Sequence, residues 1–506
     1  MRKLLVFVLL SAIISCLSAQ NIYHADRSAT DVSISANLIY NQAAYSLWVA
    51  NEAPDHGARL LAENPWSNEK EVVLFDLSGN SASEVVQQVG DLGSVICTDP
   101  DYLLVSLNAN NVVTLRNEVK APMVRLKCGV SAGLRDELPP VDTNQLVYEI
   151  VAKVDTQNII ATIARLQAFT TRKATTDSAV AAAEWIRQQF ENMGYTVELQ
   201  EFTMGNTASS PNVLATKTGT TYPEKVVIIG GHYDSYTWSD EAPGADDNAS
   251  GTAGVIEAAR ILADYPTECT IIFCAFSGEE YGLYGSAAFA SRCKQQNMNI
   301  LGYFNLDMIG YRNPGDAIHT DMIFPPSAKP LADYYQGIAA IFVPGLVVSE
   351  GFMISGDSDH TSFNNNGYMG IFPFEDDQNH SPYIHTVDDV LGLSVNSAEM
   401  AGMLTQASLA GVGSLGGVFS YVGLEENNGG LISSIIPNPA RAQVRIIVQG
   451  FQTGQVVDLL SADGRRVLSM ALPPDGLIAI DRLPAGVFIV KVSDGIRSAI
   501  SKLIIN

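Results

Sequence analysis

The sequence predicts an α/β fold: a mixed, mostly parallel sheet flanked by helices, with an N-terminal β-rich accessory domain and a C-terminal β-sandwich. Three observations predict it. Between residues 146 and 415, short apolar runs alternate with amphipathic stretches of helical period. Before residue 145 the apolar runs are short and separated by turn residues, and after Gly429-Gly430 the pattern is β throughout. The chain has 506 residues, 47% hydrophobic and 17% charged, which is globular in composition and too long for one core.

The first element is a leader. Arg2-Lys3 precede an apolar run from Leu4 to Leu17, and Ser18-Ala19 supply the small residues of a cleavage site, so residues 1–19 read as a secretory signal. The run is short for a membrane span, no second apolar segment follows, and Cys16 is a poor match to a lipoprotein anchor. The mature chain is therefore expected to lack a membrane-spanning segment. It keeps Cys97, Cys128, Cys269, Cys274 and Cys293, an odd set without zinc-ribbon spacing, in which Cys97 and Cys128 are the candidate pair.

Residues 20–145 carry β-type runs at 71–75, 102–106 and 111–115 but no chemical constellation, and read as an accessory or prodomain-like module. Within residues 146–415, the stretches 159–169 and 179–193 are helical, with Gly194 as a stop. Strands follow at 226–229, 270–276, 301–306 and 370–374, with helices at 252–262, behind a Ser250 cap, and at 286–296. Residues 416–430 form a linker. Residues 431–506 carry eight Lys/Arg against five Asp/Glu, and β-runs at 444–448, 455–460, 477–480, 487–492 and 501–505. Turns at Ala462-Asp463-Gly464 and Ser493-Asp494-Gly495 punctuate them, giving a small β-sandwich. With 30 basic and 54 acidic residues the whole chain has a net charge of −24, which repels phosphate backbones and excludes nucleic acid as a partner.

Chemistry collects where the predicted strands end. In open α/β sheets, ligands bind beyond the carboxyl ends of the strands. The first strand runs into Gly231-His232-Tyr233-Asp234, the second into Ser277-Gly278-Glu279-Glu280, and the third into Asn305-Leu306-Asp307-Met308. Between the first two lies the acidic loop Gly244-Ala245-Asp246-Asp247-Asn248-Ala249-Ser250-Gly251, and Ile384-His385-Thr386 comes later. Singly, each segment reads as a capped turn or a solvated acidic face. Together, repelling carboxylates and imidazoles at one sheet edge call for a counter-cation. His232, Asp247, Glu280, Asp307 and His385 supply five ligands, with Glu279 left as a base, the number two metals sharing a carboxylate require.

On these segments, residues 147 to about 410 resemble the co-catalytic zinc exopeptidases, the family that includes bacterial aminopeptidases, glutamate carboxypeptidase and glutaminyl cyclases. The resemblance implies two Zn2+ ions, for which Co2+ or Mn2+ can substitute. It implies that His232 and Asp307 bind one ion, Glu280 and His385 the other, and that Asp247 bridges them and precedes a cis peptide bond. Asp234 would orient His232, and Glu279 would take the proton of a two-zinc-activated water. Met308, Phe374 and Ile384 match positions that line an apolar substrate pocket; His360, grouped with that pocket, is the candidate to replace an oxyanion-donating tyrosine of some relatives, with His380 a second candidate nearby. Cyclase relatives carry Glu-Asp where this chain has Glu279-Glu280, which favours the hydrolase. Some relatives place a tyrosine flanked by cysteines just before Ser358-Asp359-His360; here Ser355 stands nearest that position and the cysteines are missing.

Ile436-Pro437-Asn438-Pro439-Ala440, Leu483-Pro484-Ala485-Gly486 and the terminal Lys502-Leu503-Ile504-Ile505-Asn506 resemble a type IX secretion sorting domain. That resemblance implies recognition by the type IX secretion machinery through residues 431–506, and a secreted or surface-attached destination by way of the periplasm. The expected function is a secreted zinc aminopeptidase acting on peptides. Carboxypeptidase, glutaminyl cyclase and a non-catalytic peptide-binding surface protein are the alternatives.

Overall fold

A computed structural model describes residues 21–26, 37–41, 45–50, 59–62, 70–77, 81–119, 121, 123–126, 138–351, 357–419, 432–448, 455–461, 466–493 and 498–505. The expected signal, Cys128, Ser355, Gly429-Gly430 and the turn residues 462–464 and 494–495 lie outside them. The chain divides into two compact units between Phe419 and Ser420.

The first unit is organised by an eight-stranded sheet. Its four central strands run in the order Gly370–Phe374, Asn299–Asn305, Tyr222–His232, Cys269–Phe276, all mutually parallel. These are the four runs expected from sequence. They are apolar throughout because helices cover both faces, so both sets of alternating side chains need burial. Val227, Ile229 and Phe273 face a large core built with the helices Gly251–Leu262 and Ala398–Leu415. Ile228, Ile272 and Cys274 face the helices Tyr284–Gln295 and His360–Asn365 on the other side. The edge strands Thr196–Gln200, Asn212–Lys217, His319–Ile323 and Val347–Glu350 make the sheet mixed.

Register sets the place of the site. His232 stands opposite Phe276 on one neighbour, and Gly230 opposite Asn305 on the other. The three strands therefore end at one level, and the residues just beyond them emerge side by side at one carboxyl edge.

Two local expectations are corrected. The run at 111–115 is not a strand: the chain folds as a helix, Val112–Glu118, whose Val112, Val113, Leu115 and Arg116 are buried on one side. Propensity yielded to packing, since the β-branched residues fill an apolar face at helical spacing. Ser250 does not cap the following helix. It has helical dihedrals, its hydroxyl donates to the Asp246 carbonyl, and the Gly251 amide is satisfied by the side-chain oxygen of Asn248 at 2.7 Å.

The N-terminal part is β-rich, with a four-stranded antiparallel sheet of Gly93–Thr98, Tyr102–Asn108, Lys70–Asp76 and Met123–Leu126, and a second of Asn21–Asp26, Asn37–Asn41, Tyr45–Ala50 and Arg59–Ala62. The second unit is a β-sandwich of a three-stranded and a four-stranded sheet, closed over Val444, Ile446, Val457, Leu459, Val490 and Leu503. Asn438 latches its last strand: the side-chain amide donates to the Lys502 carbonyl at 2.7 Å and the side-chain oxygen accepts from the Ile504 amide at 2.8 Å. Among the described residues no helix is long and apolar enough to cross a membrane.

Candidate metal centre

The strand ends and two loops bring five of the expected side chains into two overlapping triads. Nε2 of His232 lies 3.3 Å from Oδ1 of Asp247 and 3.4 Å from Oδ1 of Asp307. Nε2 of His385 lies 3.1 Å from Oδ2 of Asp247 and 2.9 Å from Oε2 of Glu280. Asp247 thus offers one oxygen to each triad, and both triads have the spacing of a metal-binding group. His232 Nε2, Asp307 Oδ1 and Glu280 Oε1 are buried and have no hydrogen-bond partner among the described residues. Buried polar atoms are ordinarily paired, so this clustering of unpaired donors and acceptors fits a divalent cation, and the nitrogen and oxygen donor set suits zinc.

The acidic loop is held in an unusual shape by many contacts. Gly244 has φ +50°, and a Cβ there would lie 2.5 Å from the Asp247 carbonyl oxygen. The helical turn of residues 245–250 breaks at Asp247 and Asn248, and the peptide bond between them is cis, as the family resemblance implied. At Gly251 a Cβ would meet the Leu306 carbonyl oxygen at 2.0 Å, so this helix start can approach the strand end only without a side chain. Asp389 receives the amides of Asp246 and Asp247 at 2.9 and 3.1 Å.

Arg172 is fully buried and donates to the carbonyls of Tyr233, Leu166, Pro243 and Gly244, tying the His232 strand end to the Asp247 loop. Burial lowers its pKa to about 10, which leaves it charged at neutral pH. Arg172→Met removes donors from four carbonyls at once and is expected to cost more than about 3 kcal/mol in urea unfolding. A loss below about 1 kcal/mol would contradict this bracing role.

The remaining expected residues surround the triads. The ring nitrogen Nδ1 of His232 meets the main-chain carbonyl of Asp234 at 3.1 Å, with the Asp234 carboxylate farther off at 3.5 Å. The expected carboxylate contact is therefore secondary, and that carboxylate instead accepts the Glu279 amide at 3.3 Å. Oε2 of Glu279 lies 3.8 Å from His232 Nε2. Burial, and then the carboxylates of Glu280, Asp359 and Asp307 against the opposing pull of His232, hold the Glu279 pKa well above its ordinary range. Met308, Phe374 and Ile384 join Ile323 and Phe372 in one apolar cluster, against which the rings of His360 and His380 pack at a tilt, on Phe372 and Phe374. His360 is buried, which lowers its pKa to about 3 and keeps it neutral.

Sequence reading missed Arg172, Asp389, Ser358 and Arg116. The Ser358 hydroxyl donates to Asp307 Oδ2 at 2.6 Å and accepts from Asn305, whose own oxygen accepts from Tyr303. This chain fixes the Asp307 carboxylate. No local pattern marks such residues, because each acts through a partner distant in sequence.

The triads also give a pH signature. Burial disfavours the His385 imidazolium, yet Glu280 and Asp247 outweigh it and raise its pKa to about 9 from the ordinary 6.5. In metal-free protein this stabilisation is complete below about pH 6.5 and is lost as pH rises through about 9. A bound metal requires neutral imidazole and competes with those protons. The melting temperatures of metal-loaded and metal-free protein are therefore expected to diverge between about pH 6.5 and 9. A constant gap across that window would contradict the assignment.

Residues 212–407 match peptidase family M28. Over 266 residues the chain is 30% identical to a protein of Arthroderma otae described as "Probable leucine aminopeptidase", covering 49% of this chain and 69% of that one. The chain belongs to peptidase family M28. A second relative, described as "Probable zinc metalloprotease" in Pyrenophora tritici-repentis, is 37% identical over 197 residues, which cover 34% of this chain. The match spans only 41% of the length of that relative. Two Legionella pneumophila structures resemble this chain in fold at a TM-score of 0.55 and cover 69% of it: LapB, 22% identical over 100% of its length, and the LapA aminopeptidase, 20% identical over 99%. Residues 434–506 match the secretion system C-terminal sorting domain.

Proposed function

We propose that this M28 protein is a secreted, zinc-dependent exopeptidase that removes N-terminal residues from peptides, with two metal ions held at the triads. The observation that carries this reading is Asp247, which presents its two carboxylate oxygens to separate ligand sets, His232 with Asp307 and Glu280 with His385. When bound there, zinc would supply an acidified water and polarise the scissile carbonyl.

The side chains divide the remaining work. Glu279 lies beside the triads without belonging to either, and its raised pKa suits a group that takes a proton from the attacking water and returns it to the leaving amine. Asp234 fixes the base by accepting its amide and orients His232 through its own carbonyl. The apolar cluster of Met308, Phe374 and Ile384 would receive an uncharged side chain of the substrate, with neutral His360 at its margin.

Product analysis tests the direction of cleavage. A leucine-initiated peptide with a free amine is expected to lose leucine, and its N-acetylated counterpart to stay intact. Release of the C-terminal residue from the acetylated peptide would make the protein a carboxypeptidase, and pyroglutamate formation from an N-terminal glutamine would make it a cyclase.

Residues 431–506 serve, in this reading, as the address recognised by the type IX secretion machinery, after the leader 1–19 has directed the chain to the periplasm. Removing residues 431–506 is expected to leave the peptidase trapped in the periplasm of a type IX-secreting host. Undiminished appearance in the medium would refute that role.

A further inference from the structure

We infer that the N-terminal accessory region is a working part of the metal centre: Arg116, from its helix Val112–Glu118, is a positioning residue for the Glu280–His385 ligand set. This inference rests on the metal-centre reading above.

The guanidinium of Arg116 grips one residue at two points. Its Nε donates to the Glu280 carbonyl at 2.7 Å, and its Nη2 lies 3.4 Å from Oε2 of Glu280, the oxygen that faces His385. Holding main chain and carboxylate together fixes the side-chain torsions of a ligand that would otherwise swing on a flexible stem. Both side chains are only 3% exposed. A pair this dry is costly to assemble and costly to break, and a planar fork is suited to it.

The same guanidinium reaches the other ligand of the set through Tyr236. It lies 4.0 Å above the Tyr236 ring, whose hydroxyl donates to the Arg116 carbonyl at 2.9 Å. The Tyr236 ring then stands edge-on to His385, with centroids 5.8 Å apart. Arg116 thus braces Glu280 directly and His385 through one ring. No contact of this kind joins it to His232 or Asp307 among the described residues.

The accessory region is built into this corner of the molecule. Val112 and Leu115 share one buried cluster with Tyr236, Tyr281, Tyr284 and Met204. Arg125 pairs with Glu71, donates to the Gly282 carbonyl at 2.9 Å and lies over the Tyr284 ring. Removing the region would uncover the apolar side of the Glu279-Glu280 loop. A prodomain that is shed to activate the enzyme would have to leave that surface, and the grip on Glu280, behind.

The test uses full-length protein carrying Arg116→Gln, with metal affinity read by chelator competition and kcat and KM measured alongside. One of two zinc equivalents is expected to bind with wild-type affinity and the other about 10- to 100-fold more weakly, with kcat falling; breaking so dry a pair also lowers the metal-free melting temperature, and the inference is read from the inequality of the two equivalents. Arg116→Lys, which keeps the charge without the fork, should show a smaller effect on the same equivalent, and it carries the comparison if Arg116→Gln does not fold. Equal weakening of both equivalents, or none, would overturn the inference. A rise in kcat/KM with metal affinity intact would show instead that the region restrains the enzyme. Wild-type protein that holds fewer than two zinc ions would count against the proposed function itself, a result distinct from any of these.

Discussion

Glu279→Gln is expected to retain its metal and its fold while losing about 10²- to 10⁴-fold in kcat. The substitution is nearly isosteric, keeps the amide donated to Asp234, and alters no member of either triad. What it removes is the carboxylate that takes up and returns a proton. Burial and three neighbouring carboxylates, against the opposing pull of His232, hold that group well above its ordinary pKa and so strengthen it as a proton acceptor. Metal content per chain and leucyl-substrate turnover, measured on the same preparation, check the claim. Turnover within a few-fold of wild type would remove Glu279 as the base, whereas loss of metal would recast it as a ligand.

Asp247→Ala is expected to have the widest effect on the centre. Its two oxygens serve both triads, so its removal should take the chain from about two tightly held zinc ions to well below one, with activity undetectable. His385→Ala and Asp307→Ala each disturb one triad and should each leave about one ion bound. Metal analysis after gel filtration distinguishes the three variants. Retention of one ion by Asp247→Ala would show that the triads are independent and that the carboxylate does not bridge them.

Much of this site was legible because the fold reads its ligands in a short grammar. The central strands are continuous apolar runs, since both faces are covered, and each run ends abruptly in polar residues: His232 after one, Glu279-Glu280 after the next, Asp307 after the third. Parallel register then guarantees that those ends meet. The edge strands were not legible for the converse reason. Thr196–Gln200 and Val347–Glu350 are largely exposed, and His319–Ile323 mixes His, Thr and Asp, so none shows a sustained apolar signal.

The supporting residues were hidden for a different reason. Arg172 and Asp389 act on main-chain groups far away in sequence, and Ser358 acts on a carboxylate 51 positions before it. A lone arginine carries no local signature of its partner. Arg116 was doubly concealed, because the run Asn111-Val112-Val113-Thr114-Leu115 reads as a strand, and on a strand its side chain would have no reason to reach a loop 164 positions later. Residue types carry the chemistry, whereas the bracing around it arises only from contacts between segments far apart in sequence.

The most direct measurement is the zinc content of purified full-length protein, taken together with cleavage of a free-amine leucyl substrate before and after chelation. The account predicts about two zinc ions per chain, and activity that chelation abolishes and zinc restores. A single ion with no hydrolysis, or hydrolysis that persists after the metal is stripped, would contradict it.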